Sequence, residues 1–502
     1  KLRVGQEAYQ LSGVAQSLDD YYTGAGETSG RWVGVGAERL GLSGDVDAED
    51  LRAVLAGIAP GSGGLSPNGE TIRPHPRRVP GFDLTFKAPK SVSALYAVSD
   101  DPRVQGAIIE AGDAAVGEAI GWLEREAIRV RRGTGNQAFL TNLAARDPAA
   151  AEQARIRTLP ARGVVAATFR HRTSRAGDPL LHWHTLVANL VEGPDGRWSA
   201  FVHPEMYQAV RAAGEVFQAV LRTELTDRLG LAWRPGRHVP EVAGVPQALC
   251  DAFSKRSREI EDWLAATGAP NDPAGRQAAV LATRRHKPEV EHERFDAAWK
   301  AEAADLGWGP DAAEALITHT ADSAPEGAPE VWRLLVPHPT GTVTETAVDP
   351  ETWITALARQ LTEHDATFGR NDIVQGVAAR LGPGASMSTI ERVVARVSAS
   401  PHLIPIAGDR WTSAELVEVE ARLLADAAHS VATRPPIPIG YVDAVLAAMP
   451  TLGSDQAAAV RTLAASLDGV TVMVGPAGTG KTFALDALRT VLYTCTAVDD
   501  RR

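Results

Sequence analysis

The sequence has only two cysteines, Cys250 and Cys495, which lie far apart and belong to no motif. We therefore expect no disulfide framework, and so little cysteine is typical of a protein kept in the reducing cytoplasm. No apolar run approaches the roughly 18 residues of a membrane helix, and the N-terminus lacks the pattern of a signal peptide. Because the chain begins at Lys1 instead of Met, we expect a few residues of a first strand to precede it.

Lysine is scarce, and acidic residues outnumber basic ones, which gives a net charge of -11. This excess argues against nucleic acid as a partner, because phosphates bind local clusters of cations. Several basic stretches offset the argument, so the net charge alone excludes no partner. At 502 residues, 44% hydrophobic and 23% charged, the chain has the composition of a globular protein of about two to four domains.

Three histidines lie in the stretch FRHRTSRAGDPLLHWHTLVANL, residues 169–190. His171 closes one predicted strand, and His182 and His184 open another after a turn-rich connector. Alternation along a strand points His182 and His184 to one face and Trp183 to the opposite face, and antiparallel pairing would bring His171 to the other two histidines. Three imidazoles on a rigid sheet suit a divalent metal that also binds substrate. The alternative is a set of ordinary surface or core histidines.

The same stretch resembles the histidine motif of the TrwC/TraI-type conjugative relaxases, the MobF family. GFDLTFKAPKSVSALYAV (Gly81–Val98) is similar to that family's second motif, and RWVGVGAERLGLSGDVD (Arg31–Asp47) to its N-terminal signature. The resemblance covers about residues 1–300 well and continues more weakly to the end of the chain. Leu180 and Trp183 replace the usual Gln and Thr, but neither is a ligand position.

The resemblance implies a metal-dependent, site- and strand-specific DNA transesterase. The three histidines would hold the ion, Mg²⁺ or Mn²⁺, and would let it polarise the scissile phosphate. Asp83 would hydrogen-bond a histidine ligand and help to deprotonate the nucleophile.

The nucleophile that the resemblance implies is a tyrosine near the N-terminus, which forms a 5′-phosphotyrosine. The first tyrosine cluster of the family is reduced here, so Tyr9, Tyr21 and Tyr22 all remain candidates. Each of them could instead be an amphipathic surface aromatic.

Basic residues recur in four places where a relaxase would contact DNA: a Gly/Pro-rich loop over residues 60–80, the start of the helix after Asp83, a long helix predicted over residues 102–132, and the histidine hairpin. Arginines beside the ligands could neutralise charge on the scissile phosphate, whereas solvated loops and helix ends are the alternative. The predicted DNA-contacting residues are Arg77, Arg78, Lys87, Lys90, Arg131, Arg132, Arg170, Arg172 and Arg175.

A second motif, GPAGTGKT, follows an apolar predicted strand, GVTVMV, and precedes a predicted helix. This is the context of a P-loop that binds the phosphates of ATP, and an upstream LGSDQAAAV resembles the adenine-reading Q motif of superfamily 1 helicases. Because the remaining motor motifs are not in the chain, we expect at most nucleotide binding, without useful hydrolysis. The predicted nucleotide-binding residues are Gln456, Gly475, Pro476, Ala477, Gly478, Thr479, Gly480, Lys481 and Thr482.

These expectations combine into an α/β fold with an antiparallel sheet, helices on one side and histidines at its centre, as in HUH endonucleases. The predicted segments are a relaxase domain over 1–305 (core 1–235, helical flap 236–305), a linker over 306–350, a helical, winged-helix-like region over 351–435, and the start of a RecD-like helicase over 436–502. Implied partners are single-stranded DNA at a transfer origin, relaxosome accessory proteins and a coupling protein. Two rivals stay open: a degenerate origin-binding protein without a nucleophile, and an ATP-driven helicase.

Overall fold

The structure, a computed structural model, describes residues 30–72, 78–174, 176–283, 292–322, 333–337, 343–430 and 435–499. The chain forms two compact units, Lys1–Trp411 and Thr412–Arg502. Among the described residues, no helix combines the length and hydrophobicity that a membrane crossing needs.

The longest strands among the described residues belong to one central sheet. In chain order, the strands are β1 (Arg31–Val33), β2 (Gly81–Lys87), β3 (Arg129–Arg132), β4 (Arg157–Pro160), β5 (Ala166–Thr173), β6 (Pro179–Ala188), β7 (Val191–Glu192), β8 (Trp198–Ser199), β9 (Trp233–Arg234), β10 (Glu241–Val242), β11 (Arg333–Pro337), β12 (Val343–Ala347), β13 (Phe368–Gly369), β14 (Leu403–Ile406) and β15 (Arg410–Ser413).

Helices make up most of the remaining regular structure. In the first unit they are α1 (Val35–Arg39), α2 (Ala48–Ala56), α3 (Lys90–Val98), α4 (Pro102–Glu126), α5 (Gln137–Ala144), α6 (Pro148–Ala154), α7 (His203–Leu229), α8 (Gln247–Ala252), α9 (Lys255–Thr267), α10 (Pro273–Ala282), α11 (His292–Asp305), α12 (Pro310–Asp322), α13 (Pro350–Leu361), α14 (Arg370–Arg380) and α15 (Met387–Ser398). The second unit has α16 (Ala414–His429), α17 (Ile439–Ala447), α18 (Ser454–Ala465) and α19 (Lys481–Asp499).

The central sheet has the strand order β1-β5-β6-β2, and each neighbouring pair is antiparallel. Alternation along these strands sends one set of side chains, including Phe82, Phe86 and Trp183, into the main core beneath α3, α4 and α7. The other set faces a second, smaller core that α1 and α2 cover at one end of the sheet. The predicted antiparallel sheet with helices is therefore confirmed, although helices pack on both faces.

The helix predicted over residues 102–132 ends at Glu126, and Arg129–Arg132 instead forms β3, which pairs with β4. Ile128 and Val130 are both buried and lie two residues apart. That spacing belongs to a strand, and it overrides the helical spacing of the arginines.

The segment predicted as a linker, 306–350, differs in the structure, because it contains α12 and the hairpin of β11 and β12. Trp308 and Ala313 are buried in the main core. The Pro and Gly residues that suggested a linker are outweighed by an alanine-rich stretch, which favours helix.

Residues 350–413 follow the order helix, strand, helix, helix, strand, strand, which is that of a winged helix. Its three-stranded sheet has the order β13-β15-β14. Arg222 of α7 is fully buried and donates to the carbonyl oxygens of Ala378 (3.4 Å) and Leu381 (3.0 Å) at the end of α14. A guanidinium suits the negative end of a helix dipole, so this contact fixes the winged-helix elements on α7.

The second unit has a small core formed by α17, α18 and α19. The strand predicted at GVTVMV pairs with no other strand among the described residues, and Val472 and Val474 are 77% and 90% exposed. An apolar run needs neighbouring strands to complete its hydrogen bonds, and residues 435–499 contain no strand.

Candidate metal centre

The three histidines of the sequence motif come together on one face of the central sheet. In the antiparallel pair of β5 and β6, His171 lies opposite His182, and Phe169 lies opposite His184. The ring centroids are 5.0 to 5.1 Å apart, and the candidate ligand atoms all lie within 4.8 Å of one another. The hairpin predicted from the sequence therefore brings three imidazoles within reach of one ion.

Hydrogen bonds fix the orientation of two of the rings. The Nδ1 atom of His184 lies 2.9 and 3.0 Å from the carboxylate oxygens of Asp83, and the Nδ1 atom of His182 lies 2.8 Å from the carbonyl oxygen of Leu180. Both partners are acceptors, so each Nδ1 carries a proton, and in the neutral ring the free lone pair is then on Nε2. This is the tautomer that ligates a metal through Nε2, with the carboxylate of Asp83 supporting the ligand.

Burial keeps His182 neutral. Its side chain is 8% exposed, and burial, with smaller contributions from His184 and Lys87, lowers its pKa to about 4. At neutral pH the Nε2 atom of His182 therefore has no proton that must leave before the ring binds an ion. His171 and His184 are only half-buried, so the cluster is open on one side. Three imidazoles with an open side fit a divalent cation that also accepts a substrate oxygen.

Thr85 and Lys87 share this face with Asp83, because all three are alternate residues of β2. Lys87 lies opposite His182 in the register, and its side chain is exposed. The Thr85 hydroxyl lies 3.3 Å from Nδ1 of His184. Thr85 belongs to no sequence motif that points to the site, although the alternation that starts at Asp83 identifies it.

The P-loop motif and Gln456 are brought together in the second unit. The Gln456 side-chain amide donates to the carbonyl oxygen of Thr479 at 2.9 Å, and Gly478 and Gly480 have the positive φ of a tight loop. The ammonium group of Lys481 donates to the carbonyl oxygens of Gly475 (2.8 Å) and Pro476 (2.7 Å). The loop therefore ends at the start of α19 with its lysine folded over it.

Comparison with known proteins decides the family. The family model described as TrwC relaxase matches residues 4–306, which is more than half of the chain. This chain belongs to the TrwC relaxase family. A second family model, an AAA domain, matches residues 451–495 and includes the P-loop of the helicase-like segment.

Two relatives of the relaxase are conjugation proteins of Escherichia coli. One multifunctional conjugation protein TraI is 32% identical over 302 residues, 58% of this chain, and TraI of strain K12 is 29% identical over 403 residues, 77% of this chain. The matched regions are 15% and 20% of those relatives, so the chain spans a small part of their length.

Two solved structures of the conjugative relaxase TrwC with oriT DNA share the fold. The metal-free structure is 32% identical with a TM-score of 0.50, and the metal-bound structure is 31% identical with the same TM-score. Each match covers 61% of this chain and 98% of the solved chain.

Two arginines of the relaxase hairpin lie on the face opposite the histidines. Arg170 lies 4.0 Å from the carboxylate of Asp113 on α4, and Arg172 lies 3.3 Å from that of Asp296 on α11. The prediction that they neutralise the phosphate beside the ion is contradicted by this placement. The reason is the alternation that gathers the histidines, since residues 170 and 172 alternate with 169 and 171.

Several other residues that were predicted to contact DNA form hydrogen bonds within the protein instead. Lys90 donates to the Pro179 carbonyl oxygen at 2.9 Å, and burial lowers its pKa, so its ammonium faces inward, contrary to the predicted phosphate contact. Arg132 is held by Asp195 at 2.7 and 3.0 Å. Arg131 is exposed on β3, and Arg78 donates to the Ala56 carbonyl oxygen. The other two predicted DNA contacts, Arg77 and Arg175, lie outside the described residues, as do the candidate nucleophiles Tyr9, Tyr21 and Tyr22.

Proposed function

We propose that this chain nicks and religates single-stranded DNA at one site and on one strand, and so initiates conjugative transfer. The observation that carries the proposal is the convergence of three imidazoles and the Asp83 carboxylate on one face of the central sheet in a TrwC-family chain. The TrwC structures with oriT DNA support the choice of a transfer-origin strand as substrate.

The histidines would hold a divalent ion, which supplies Lewis-acid polarisation of the scissile phosphate. Asp83 keeps the His184 ring in its ligating tautomer, and Lys87, exposed on the same face, offers a cation to a neighbouring phosphate. Of the two predicted ions, Mn²⁺ suits an all-imidazole donor set better than Mg²⁺, which prefers oxygen ligands.

The covalent step uses a tyrosine of the N-terminal segment, Tyr9, Tyr21 or Tyr22. Its phenol loses a proton to a base and its oxygen forms a bond to phosphorus, while the bond from phosphorus to the 3′ oxygen breaks. The 3′ oxygen leaves as a hydroxyl, and the 5′ phosphate stays on the tyrosine. Attack by a 3′ hydroxyl reverses the step and religates the strand.

We also propose that the reaction takes place in the cytoplasm, together with relaxosome accessory proteins and a coupling protein.

Exposed Arg131 on the ribbon of β3 and β4 offers a further phosphate contact. Such contacts fix the register of the DNA without reading its sequence.

The test is a covalent-adduct assay on the three tyrosines. The protein is mixed with single-stranded DNA of its transfer-origin region and Mn²⁺, separated on a denaturing gel, and the modified peptide is mapped by mass spectrometry. We expect a DNA adduct on one of Tyr9, Tyr21 and Tyr22, and the corresponding Tyr→Phe variant should lose it. Tyr207→Phe, which alters an exposed tyrosine of α7, should form the adduct normally.

Absence of an adduct, combined with tight DNA binding by the wild-type protein, would contradict the proposal. That result would instead support the origin-binding alternative. An adduct that survives in all three variants would show that the nucleophile lies elsewhere.

For the second unit we propose ATP binding at residues 475–482, supported by the contact between Gln456 and the loop. Lys481→Ala should weaken binding of a fluorescent ATP analogue by about tenfold or more, because it removes a charge-assisted contact to phosphate. DNA-adduct formation should be unchanged. Arg489→Ala, on the same helix but paired with Asp486, is the matched control. Equal nucleotide affinity in Lys481→Ala and wild type would refute this site.

A further inference from the structure

The strand that carries two of the ligands has an irregularity immediately before them. His171 pairs with His182, but Thr173 pairs with Pro179, so one residue of β5 faces two residues of β6, Leu180 and Leu181. This is a β-bulge, which re-aims the backbone at the point where it occurs. Here it directs the Leu180 carbonyl oxygen to Nδ1 of His182.

Contacts from α3 hold the bulge from one side. Lys90 donates to the Pro179 carbonyl oxygen, and the Ser93 hydroxyl accepts from the Leu181 N–H at 3.0 Å. The Ala88 N–H donates to the Leu181 carbonyl oxygen, also at 3.0 Å. Backbone groups of Pro179 and Leu181 therefore have partners on α3 and on Ala88, the residue after β2.

Asp178 holds the same segment from the turn. Its side chain is 1% exposed, and its carboxylate accepts from the Arg256 N–H (3.2 Å) and the Ser174 hydroxyl (3.4 Å). Lys255 lies 3.6 Å away, and Lys90 also attracts the carboxylate. Burial raises the pKa of Asp178, and the Arg256 N–H and the two lysines oppose the rise.

A buried carboxylate costs free energy unless it has partners, and here Oδ2 accepts both hydrogen bonds while Oδ1 lies 3.6 Å from the Lys255 ammonium. The turn before it is tied down as well, since the Ser174 N–H donates to the Asp178 carbonyl oxygen (2.8 Å) and the Trp299 indole N–H to that of Gly177 (2.8 Å). Both ends of the bulged segment are therefore anchored, one at the turn and one at α3.

We infer that Asp178, together with Lys90 and Ser93, is a positioning residue that pins the β6 bulge and so aims the His182 ring at the metal ion. The inference rests on the proposed metal-dependent nicking, and it gives Lys90 a role in holding the hairpin. A one-residue slip in the hairpin would turn the histidine side chains to the other face of the sheet, so the anchor protects the ligand geometry.

The test measures Mn²⁺ affinity of the full chain by electron paramagnetic resonance of the unbound ion. Asp178→Asn removes the charge and keeps the shape, and it should weaken Mn²⁺ binding about 10-fold or more, as loss of a group that orients a ligand does. Affinity for origin DNA in EDTA should stay at the wild-type value. Lys90→Met, which leaves Asp178 and the turn in place, should weaken Mn²⁺ binding in the same direction.

Asp296→Asn is the matched control, because it removes the acidic partner of Arg172, the β5 residue opposite the bulge, and leaves the contacts of Asp178, Lys90 and Ser93 in place. It should bind Mn²⁺ as the wild type does. A general folding role would instead lower the melting temperature and the DNA affinity together with the Mn²⁺ affinity.

The outcomes separate the two proposals. If wild-type protein binds no Mn²⁺, the metal-dependent function is overturned and the positioning role with it. If wild type, Asp178→Asn and Lys90→Met bind Mn²⁺ equally, the metal centre stands and the positioning role is overturned. Parallel loss of Mn²⁺ affinity, DNA affinity and melting temperature in both variants would also overturn it, as would an equal loss in Asp296→Asn.

Discussion

His182→Ala is expected to lower both Mn²⁺ affinity and the yield of DNA adduct by more than about 100-fold, since loss of groups that merely orient ligands already costs 10- to 100-fold. His182 is the most buried of the three histidines, and its ring is held by the Leu180 carbonyl oxygen. The site would then keep only two imidazoles, too few to hold an ion that must also bind substrate. The measurements are electron paramagnetic resonance of Mn²⁺ and the denaturing-gel assay.

His238→Ala is the control for this substitution, because His238 is exposed and lies outside the cluster. It should bind Mn²⁺ and form the adduct normally. Adduct formation by His182→Ala at the wild-type level would show that the histidine cluster is not the catalytic centre.

The side-chain period of a strand explains both the success and one failure of the sequence analysis. Applied to His182, Trp183 and His184, it predicted two ligands on one face and an indole in the core, and the structure has this arrangement. The same rule places Arg170 and Arg172 on the opposite face, where they pair with acidic residues of helices. Their position beside the ligands in sequence suggested a phosphate contact that their geometry does not allow.

Other features of the site depend on contacts that no local pattern encodes. The bulge at Leu180 is visible only in the register of β5 and β6, and Lys90 meets Pro179 across 89 residues of sequence. A lysine at a helix start suggests a phosphate contact when neighbours are unknown. The Pro179 carbonyl oxygen that turns the ammonium inward is far away in the sequence, so only the tertiary structure reveals it.

Motifs with fixed spacing were the most informative part of the sequence. Gln456 and Thr479 are in hydrogen-bond contact, as the pairing of a Q motif with a P-loop suggested. The strand before the P-loop was predicted from hydrophobicity alone. It pairs with no described strand, because hydrophobicity specifies burial but does not supply the neighbours that burial requires.

Trp183→Ala is expected to cost about 3–5 kcal/mol in the free energy of unfolding, the range for removing a fully buried aromatic side chain. Trp183 is 0% exposed, its indole N–H donates to Asp113 at 2.7 Å, and its ring lies 5.8 Å from that of Phe217. The α4 backbone at Gly112 lies so close that a Cβ there would overlap the indole ring. A wall made of helix backbone cannot collapse into the cavity, so the loss should fall at the upper end of the range.

Urea denaturation of the full chain would measure this loss, with Trp198→Ala as the control because Trp198 is only half-buried and should cost less. Trp183→Phe keeps a ring in the pocket and should recover most of the stability. Because residue 183 lies between two ligands, Trp183→Ala should also weaken Mn²⁺ binding at urea concentrations where the protein stays folded, whereas Trp198→Ala should not. Equal destabilisation by the two alanine variants would contradict the cavity that we expect at residue 183. Unchanged Mn²⁺ binding by Trp183→Ala would mean that the indole does not support the geometry of the histidines.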